Sequence, residues 1–257
     1  MRTYQRLAAF VLAAALMLGG CSTGGNTTQP AGDTPSTPST PAAENSSNSS
    51  NSADNAPLKD IVIAKLATRE LETFCSVHSQ RAEDGENLVN LTDPLLEVDN
   101  YGRMIPCIAE KWGTEDGGLT WIFNLRQGVK WVDVNGEEMA DCNAHDFATG
   151  LEFVLNFHKN DSINTSMPME LIKGATEYYN FTKELSKEEA LALDMSKFYE
   201  TVGMELPDDY TIIYTCTAPK PYFDTVANYS CLYPISQKLI DNLGGPEGYL
   251  AMNNQTM

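Results

Sequence analysis

Two pairs of side chains in this sequence have the spacing of metal ligands, Cys75-x-x-His78 and Cys142-x-x-His145. Each could supply two of the four donors that a tetrahedral zinc site takes. The pairs would have to converge, and neither Cys-x-x-Cys nor His-x-x-x-His accompanies them. No metal site and no cofactor is expected. Catalytic spacings are missing too: there is no Gly-x-Ser-x-Gly, Ser-x-x-Lys, His-Glu-x-x-His or phosphate loop. With 35 acidic residues, neighbouring carboxylates arise by chance, so Asp208-Asp209 reads as a turn cap before a strand. The chain is not expected to be an enzyme. Aromatic rings near element ends are better suited to holding a solute: Tyr178, Tyr179, Tyr222, Phe223, Tyr229 and Tyr233. Of these, Tyr222 and Phe223, which follow Pro219 and Pro221, are the ligand candidates, although burial in a core accounts for most such rings.

One more thiol is placed for chemistry of another kind. Cys21 closes the run Leu18-Gly19-Gly20-Cys21 behind a leader with Arg2, Arg6 and an apolar stretch from Leu7 to Leu18. About a dozen apolar residues are too few to span a bilayer, so residues 1–20 read as an export signal. The small residues before Cys21 resemble a bacterial lipoprotein signal, which implies a diacylglycerol on that sulfur. Two acyl chains hold a protein on a membrane where one does not. Residues 21–57 contain Ser, Thr, Asn, Pro, Gly and Ala, with no large aliphatic or aromatic residue after the cysteine. That composition cannot offset its ordering entropy and reads as a disordered tether.

Residues 58–257 then form the body, enough for one sizeable domain or two small ones. The formal charge of -18 argues against nucleic acid and against direct adhesion to anionic lipid. Besides Cys21, the cysteines are Cys75, Cys107, Cys142, Cys216 and Cys231. An odd number leaves at least one unpaired within the chain, and buried thiols are a full alternative to disulfides.

The elements that must position these residues follow from periodicity. A first strand is expected within Lys59 to Ala67, and turns at Asp99-Asn100-Tyr101-Gly102 and Thr114 to Gly118. Thr120 to Arg126 alternates, with Trp121, Phe123 and Leu125 on one face, and Val129 to Val132 is extended before the Asn135-Gly136 turn. Asn143 and Asp146 form a capping box ahead of a helix carrying Phe147, Leu151, Val154, Leu155 and His158. Ser186 and Glu189 repeat that signature for a helix to about Thr201, and Met169 to Phe181 contains a third, interrupted near Gly174. Tyr210 to Cys216 is a strand, and Ser236 to Leu243 a short helix. The fold class is mixed α/β, of the α+β kind.

Several runs taken in order carry a resemblance. They are Pro106-Cys107-Ile108-Ala109-Glu110-Lys111-Trp112, then Leu119 to Trp131, then Ala140-Asp141, Ala144-His145-Asp146-Phe147, Val202-Gly203-Met204 and Asp208-Asp209-Tyr210-Thr211. This series resembles the oligopeptide and dipeptide substrate-binding proteins of ABC importers, the extracellular solute-binding family 5. Where members continue the run at Trp131 with an aromatic or His and Asp-Gly, this chain has the longer Val132-Asp133-Val134-Asn135-Gly136-Glu137. Trp121, Phe123, Leu125, Arg126 and Gly128 read as scaffold rather than ligand contacts.

The resemblance implies a periplasmic-binding-protein-like type II first lobe with an associated subdomain, and no second lobe before Met257, as in a truncated chain. It further implies a monomer, lipid-anchored on the extracytoplasmic face of a bacterial membrane, that captures oligopeptides and delivers them to an ABC transporter permease. The alternatives are a surface lipoprotein using a partial lobe for sensing or adhesion, and a related receptor for nickel, haem, glutathione or murein peptide.

Overall fold

The computed structural model describes residues 73–79, 81–160 and 163–252. Cys21, the leader and tether, and the strand expected within 59–67 lie outside the described residues. The described elements run in the order α1 (Ala82–Leu88), β1 (Leu96–Val98), β2 (Met104–Pro106), β3 (Ala109–Gly113), β4 (Thr120–Leu125), β5 (Lys130–Val132), β6 (Glu138–Asp141) and α2 (Ala144–Leu155). There follow α3 (Phe157–Asn160), α4 (Ser166–Leu171), α5 (Ala175–Glu184), α6 (Lys187–Leu191), α7 (Met195–Thr201), β7 (Met204–Asp208), β8 (Thr211–Thr215), α8 (Gln237–Asn242) and α9 (Pro246–Leu250). Two 3-10 turns, Phe223–Val226 and Ser230–Leu232, separate β8 from α8.

The alternating segment becomes the centre of a four-stranded antiparallel sheet ordered β3-β4-β8-β7. Trp121 faces Tyr214 and Phe123 faces Ile212 across β4 and β8, and all four side chains are buried. The partners one step along, Ile122 and Ile213, turn to the other face, where Ile122 is exposed. A period of two thus sorts one strand pair into a core side and an outer side. Gly128 adopts φ +78, as the bend after Leu125 requires, and Arg126 donates from Nε to the Cys107 carbonyl at 2.6 Å. Trp121, Phe123 and Leu125 are buried on the core side of the sheet.

Both capping boxes form. Asn143 accepts from the His145 amide while Asp146 accepts from the Asn143 amide at 2.9 Å, and Ser186 accepts from the Glu189 amide while the Glu189 carboxylate accepts from the Ser186 amide. The apolar stripe does not carry α2 to His158. Asn156 leaves helical geometry at ψ 111, and His158 lies on α3, its Nε2 2.9 Å from the Leu185 carbonyl. The helix expected from Ser186 to Thr201 is also two: Asp194 caps α7 anew by accepting from the Ser196 amide. The interruption at Gly174 is present, with φ +75 between α4 and α5.

Candidate functional site

The segment from Pro219 to Ile235 is held from both sides. The Lys220 amide donates to the Gly118 carbonyl at 2.9 Å, and the Lys220 carbonyl accepts from Trp121 Nε1 at 3.1 Å. Gly118 has φ +95, and a Cβ there would sit 2.6 Å from the Lys220 carbonyl carbon, so the approach needs glycine. At the other end the Ile235 amide donates to the Asp146 carbonyl, and Gly150 of α2 lets the Tyr233 carbonyl approach within 2.1 Å of where a Cβ would be.

Between these clamps the two sequence-chosen ligand residues part company. Phe223 has no exposed surface, and its ring lies 5.4 Å from Tyr214, 6.4 Å from Trp121 and 6.5 Å from Phe123, centroid to centroid. No face of that ring is left for a solute, so Phe223 is a core anchor and not a contact. Tyr222, which caps the 3-10 turn from outside, is by contrast 48% exposed. Tyr229 is exposed likewise, whereas Tyr178 and Tyr233 are buried. Next to Tyr229, Asn228 has a buried Oδ1 with no hydrogen-bond partner among the described residues.

The two Cys-x-x-His pairs are committed elsewhere. Cys75 and Cys142 are buried, and burial pushes each thiol up to about 12. His78 Nδ1 lies 3.0 Å from Asn160 Oδ1, and His145 Nε2 lies 3.3 Å from Asp209 Oδ1 on the surface. Asp208 accepts from the Tyr210 amide at 2.8 Å, the turn cap expected of it. The five described cysteines are free thiols, four of them buried.

Sequence spacing missed a different group. Asp93, Glu97 and Cys107 bring a carboxylate oxygen, a second carboxylate oxygen and a sulfur within 4.8 Å of one another. Burial first, then the charges of Asp93 and Glu97, pushes the Cys107 thiol up to about 12. The only sequence signal was register: Glu97 pairs with Ile105 in the β1–β2 hairpin, which places Cys107 two residues on along the same side.

Two hollows open on the described surface. One of about 410 Å³ lies against the outer sheet face and is lined by Glu110, Lys111, Asn124, Asp208 and Tyr210 among others. Register shifts in β3 between Ala109 and Lys111 and in β7 between Glu205 and Asp208 bend both outer strands beside it. The other, of about 210 Å³, is lined by residues including Asp93, Ile108, Trp131, Cys142 and Pro234.

Residues 103–253, from β2 through α9, match the family described as bacterial extracellular solute-binding proteins, family 5 Middle. The chain belongs to this family. Among its relatives, the oligopeptide-binding protein SarA of Streptococcus gordonii is 32% identical over 166 residues, 65% of this chain and 23% of that one. The oligopeptide-binding protein AmiA of Streptococcus pneumoniae is 32% identical over 157 residues, covering 60% and 21%. The Listeria monocytogenes OppA structure bound to peptide superposes with a TM-score of 0.55 at 20% identity, over 73% of this chain and 32% of that one. The chain thus spans about a quarter or less of the length of these two streptococcal relatives, and the mixed α/β fold of this family's solute-binding proteins is the one found here.

Proposed function

We propose that this chain is the N-terminal portion of a lipid-anchored extracytoplasmic receptor that captures oligopeptides and delivers them to an ABC importer permease. The observation that supports this most directly is the 32% identity to two streptococcal oligopeptide-binding proteins, over 166 and 157 residues. In this reading residues 1–20 are the signal, Cys21 carries the lipid, 21–57 is the tether and 58–257 the solute-binding portion. Tyr222, half-exposed beside the buried Phe223, contacts the peptide. Binding rather than turnover is the activity, with peptide backbone groups held by hydrogen bonds and waters, and the receptor acts as a monomer.

Mass spectrometry of solutes released by denaturing the full-length protein tests the substrate class. A mixture of short peptides is expected, and a single non-peptide solute overturns the reading. Replacing Cys21 with Ala should move the protein from the membrane pellet to the soluble fraction, while persistence in the pellet removes the lipid anchor. Tyr222→Ala in the full-length protein should weaken peptide binding about fivefold by calorimetry, on the order of 1 kcal/mol for a partly exposed aromatic contact. An unchanged affinity removes Tyr222 from the site.

A further inference from the structure

The outer face of the four-stranded sheet carries one straight row of polar side chains. Lys111 on β3 pairs with Asn124 on β4, Asn124 with Thr211 on β8, and Thr211 with Asp208 on β7. Residues opposite one another on adjacent strands share a face, and Asn124 lies on the exposed side of a strand that buries Phe123 and Leu125. The row therefore crosses all four strands, with an ammonium at one edge, a carboxylate at the other, and a carboxamide and a hydroxyl between. All four residues line the hollow of about 410 Å³. We propose that this hollow binds a short linear zwitterion, an ω-amino carboxylate, with its carboxylate on Lys111 and its ammonium on Asp208. This site does not depend on Tyr222 being a peptide contact.

An ordinary solvated sheet face is flat and its charges pair with neighbours, and this one differs on both counts. Lys111 and Asp208 each end a register shift, from Ala109 to Lys111 in β3 and from Glu205 to Asp208 in β7. Bulges re-aim side chains and bend the strand that carries them, so the face is bent where its charges stand. Lys111 forms no ion pair among the described residues. Asp208 accepts from the Tyr210 amide at 2.8 Å through Oδ1, which leaves Oδ2 for a ligand. Midway along the row Asn124 Nδ2 stands 3.5 Å from Thr211 Oγ1, a long contact that leaves both groups able to bond a solute.

Strand spacing sets the length of the ligand. Strands about 4.8 Å apart, with side chains standing off the sheet, put the two ends of the row about 14 Å from each other. A charge-assisted hydrogen bond of about 2.8 Å at either end leaves about 8 to 9 Å for the solute. Extended 6-aminohexanoate has that reach, whereas 4-aminobutyrate falls short of it. Glu110, the extra residue of the β3 bulge, also lines the hollow and leaves it with more negative than positive charge. Its carboxylate attracts the ammonium of the ligand and opposes the carboxylate held beside it on Lys111. A simple carboxylate is therefore repelled, and a simple amine has nothing to place on Lys111.

The test is a titration of the full chain with 6-aminohexanoate at low salt, followed by NMR through the backbone amide shifts of the four row residues. Saturable shifts at these positions are expected. Affinity should fall about fivefold in Lys111→Gln and in Asp208→Asn, the scale of one exposed ion pair. The second variant keeps an acceptor for the Tyr210 amide, so its turn is spared. Glu110→Gln should tighten binding about twofold, because it removes the opposing charge, and added salt should weaken it. Hexylamine, hexanoate and 4-aminobutyrate should each bind at least about fivefold more weakly than 6-aminohexanoate. Absence of saturable shifts, equal binding of hexylamine, or affinities unchanged in both Lys111→Gln and Asp208→Asn would each overturn the site. Since 6-aminohexanoate is not a peptide, its failure to bind leaves peptide capture standing.

Discussion

Gly174→Ala should lower the unfolding free energy by about 3 to 4 kcal/mol, against about 1 kcal/mol for Gly128→Ala. Both glycines have positive φ, +75 and +78, so both substitutions carry the same left-handed backbone penalty. They differ in what a methyl group meets. At Gly128 nothing among the described residues lies within 4 Å of the new Cβ, whereas at Gly174 it would sit 1.8 Å from the Thr201 carbonyl oxygen. That oxygen belongs to the end of α7, and the backbone around it is locked: the Gly203 amide donates to the Lys173 carbonyl at 2.7 Å, and the Lys173 amide donates to the Thr215 carbonyl at 3.0 Å. Relief would require α7 to move away from α5 and from β8 together, giving up the packing of Phe198 on Tyr178, whose rings stand 5.5 Å apart. Denaturant unfolding of the two variants measured side by side isolates the contact from the φ penalty. Equal losses would mean that the close approach of residue 174 to α7 does not exist.

How much of this was legible beforehand depends on whether the deciding interaction was local. The strand at Thr120–Leu125 was readable because alternation is a property of neighbours, and the caps at Asn143 and Ser186 because their partners lie three residues on. Gly174 could be placed as an interruption, but the Thr201 carbonyl that makes it obligatory is far along the chain. The overrun of α2 to His158 has a similar origin. Asn156 is fully buried, donates from Nδ2 to the Ala190 carbonyl at 3.1 Å and accepts from the His158 amide, while the Phe157 amide donates to Thr182 Oγ1. These distant partners satisfy a broken helix end that the apolar period did not announce. Phe223 and Tyr222 are adjacent in sequence and equally aromatic, yet only the three-ring pocket of Trp121, Phe123 and Tyr214 decided which became core. The Asp93, Glu97 and Cys107 group has no motif spacing at all, since a hairpin register assembled it.

The same broken helix gives the other large expectation, for Glu152. Its carboxylate is 3% exposed and accepts from Tyr178 Oη at 2.9 Å and from Asn156 Nδ2 at 3.0 Å through one oxygen, and pairs with Lys159 Nζ at 2.6 Å through the other. One side chain on α2 thereby ties the break at Asn156 to α3 and α5. Burial, then the Glu152 charge, raises the Tyr178 hydroxyl far above its ordinary value, so that hydroxyl stays a donor to the carboxylate. Glu152→Ala strands a largely buried ammonium and a phenol, and takes from the Asn156 carboxamide one of its two acceptors, leaving it the Ala190 carbonyl. The loss should be about 3 to 5 kcal/mol, the range for removing one partner of a buried pair. Glu152→Gln keeps an acceptor for Tyr178 and Asn156 and should lose less. The decisive variant is Glu152→Leu combined with Lys159→Met, which removes both charges and leaves no unpaired ion. Replacement of a whole buried pair by apolar groups is often close to neutral, so the double variant should be more stable than Glu152→Leu alone. A double-mutant cycle by urea unfolding measures this coupling. Simple additivity of the two single losses would show that Glu152 and Lys159 do not act as a pair.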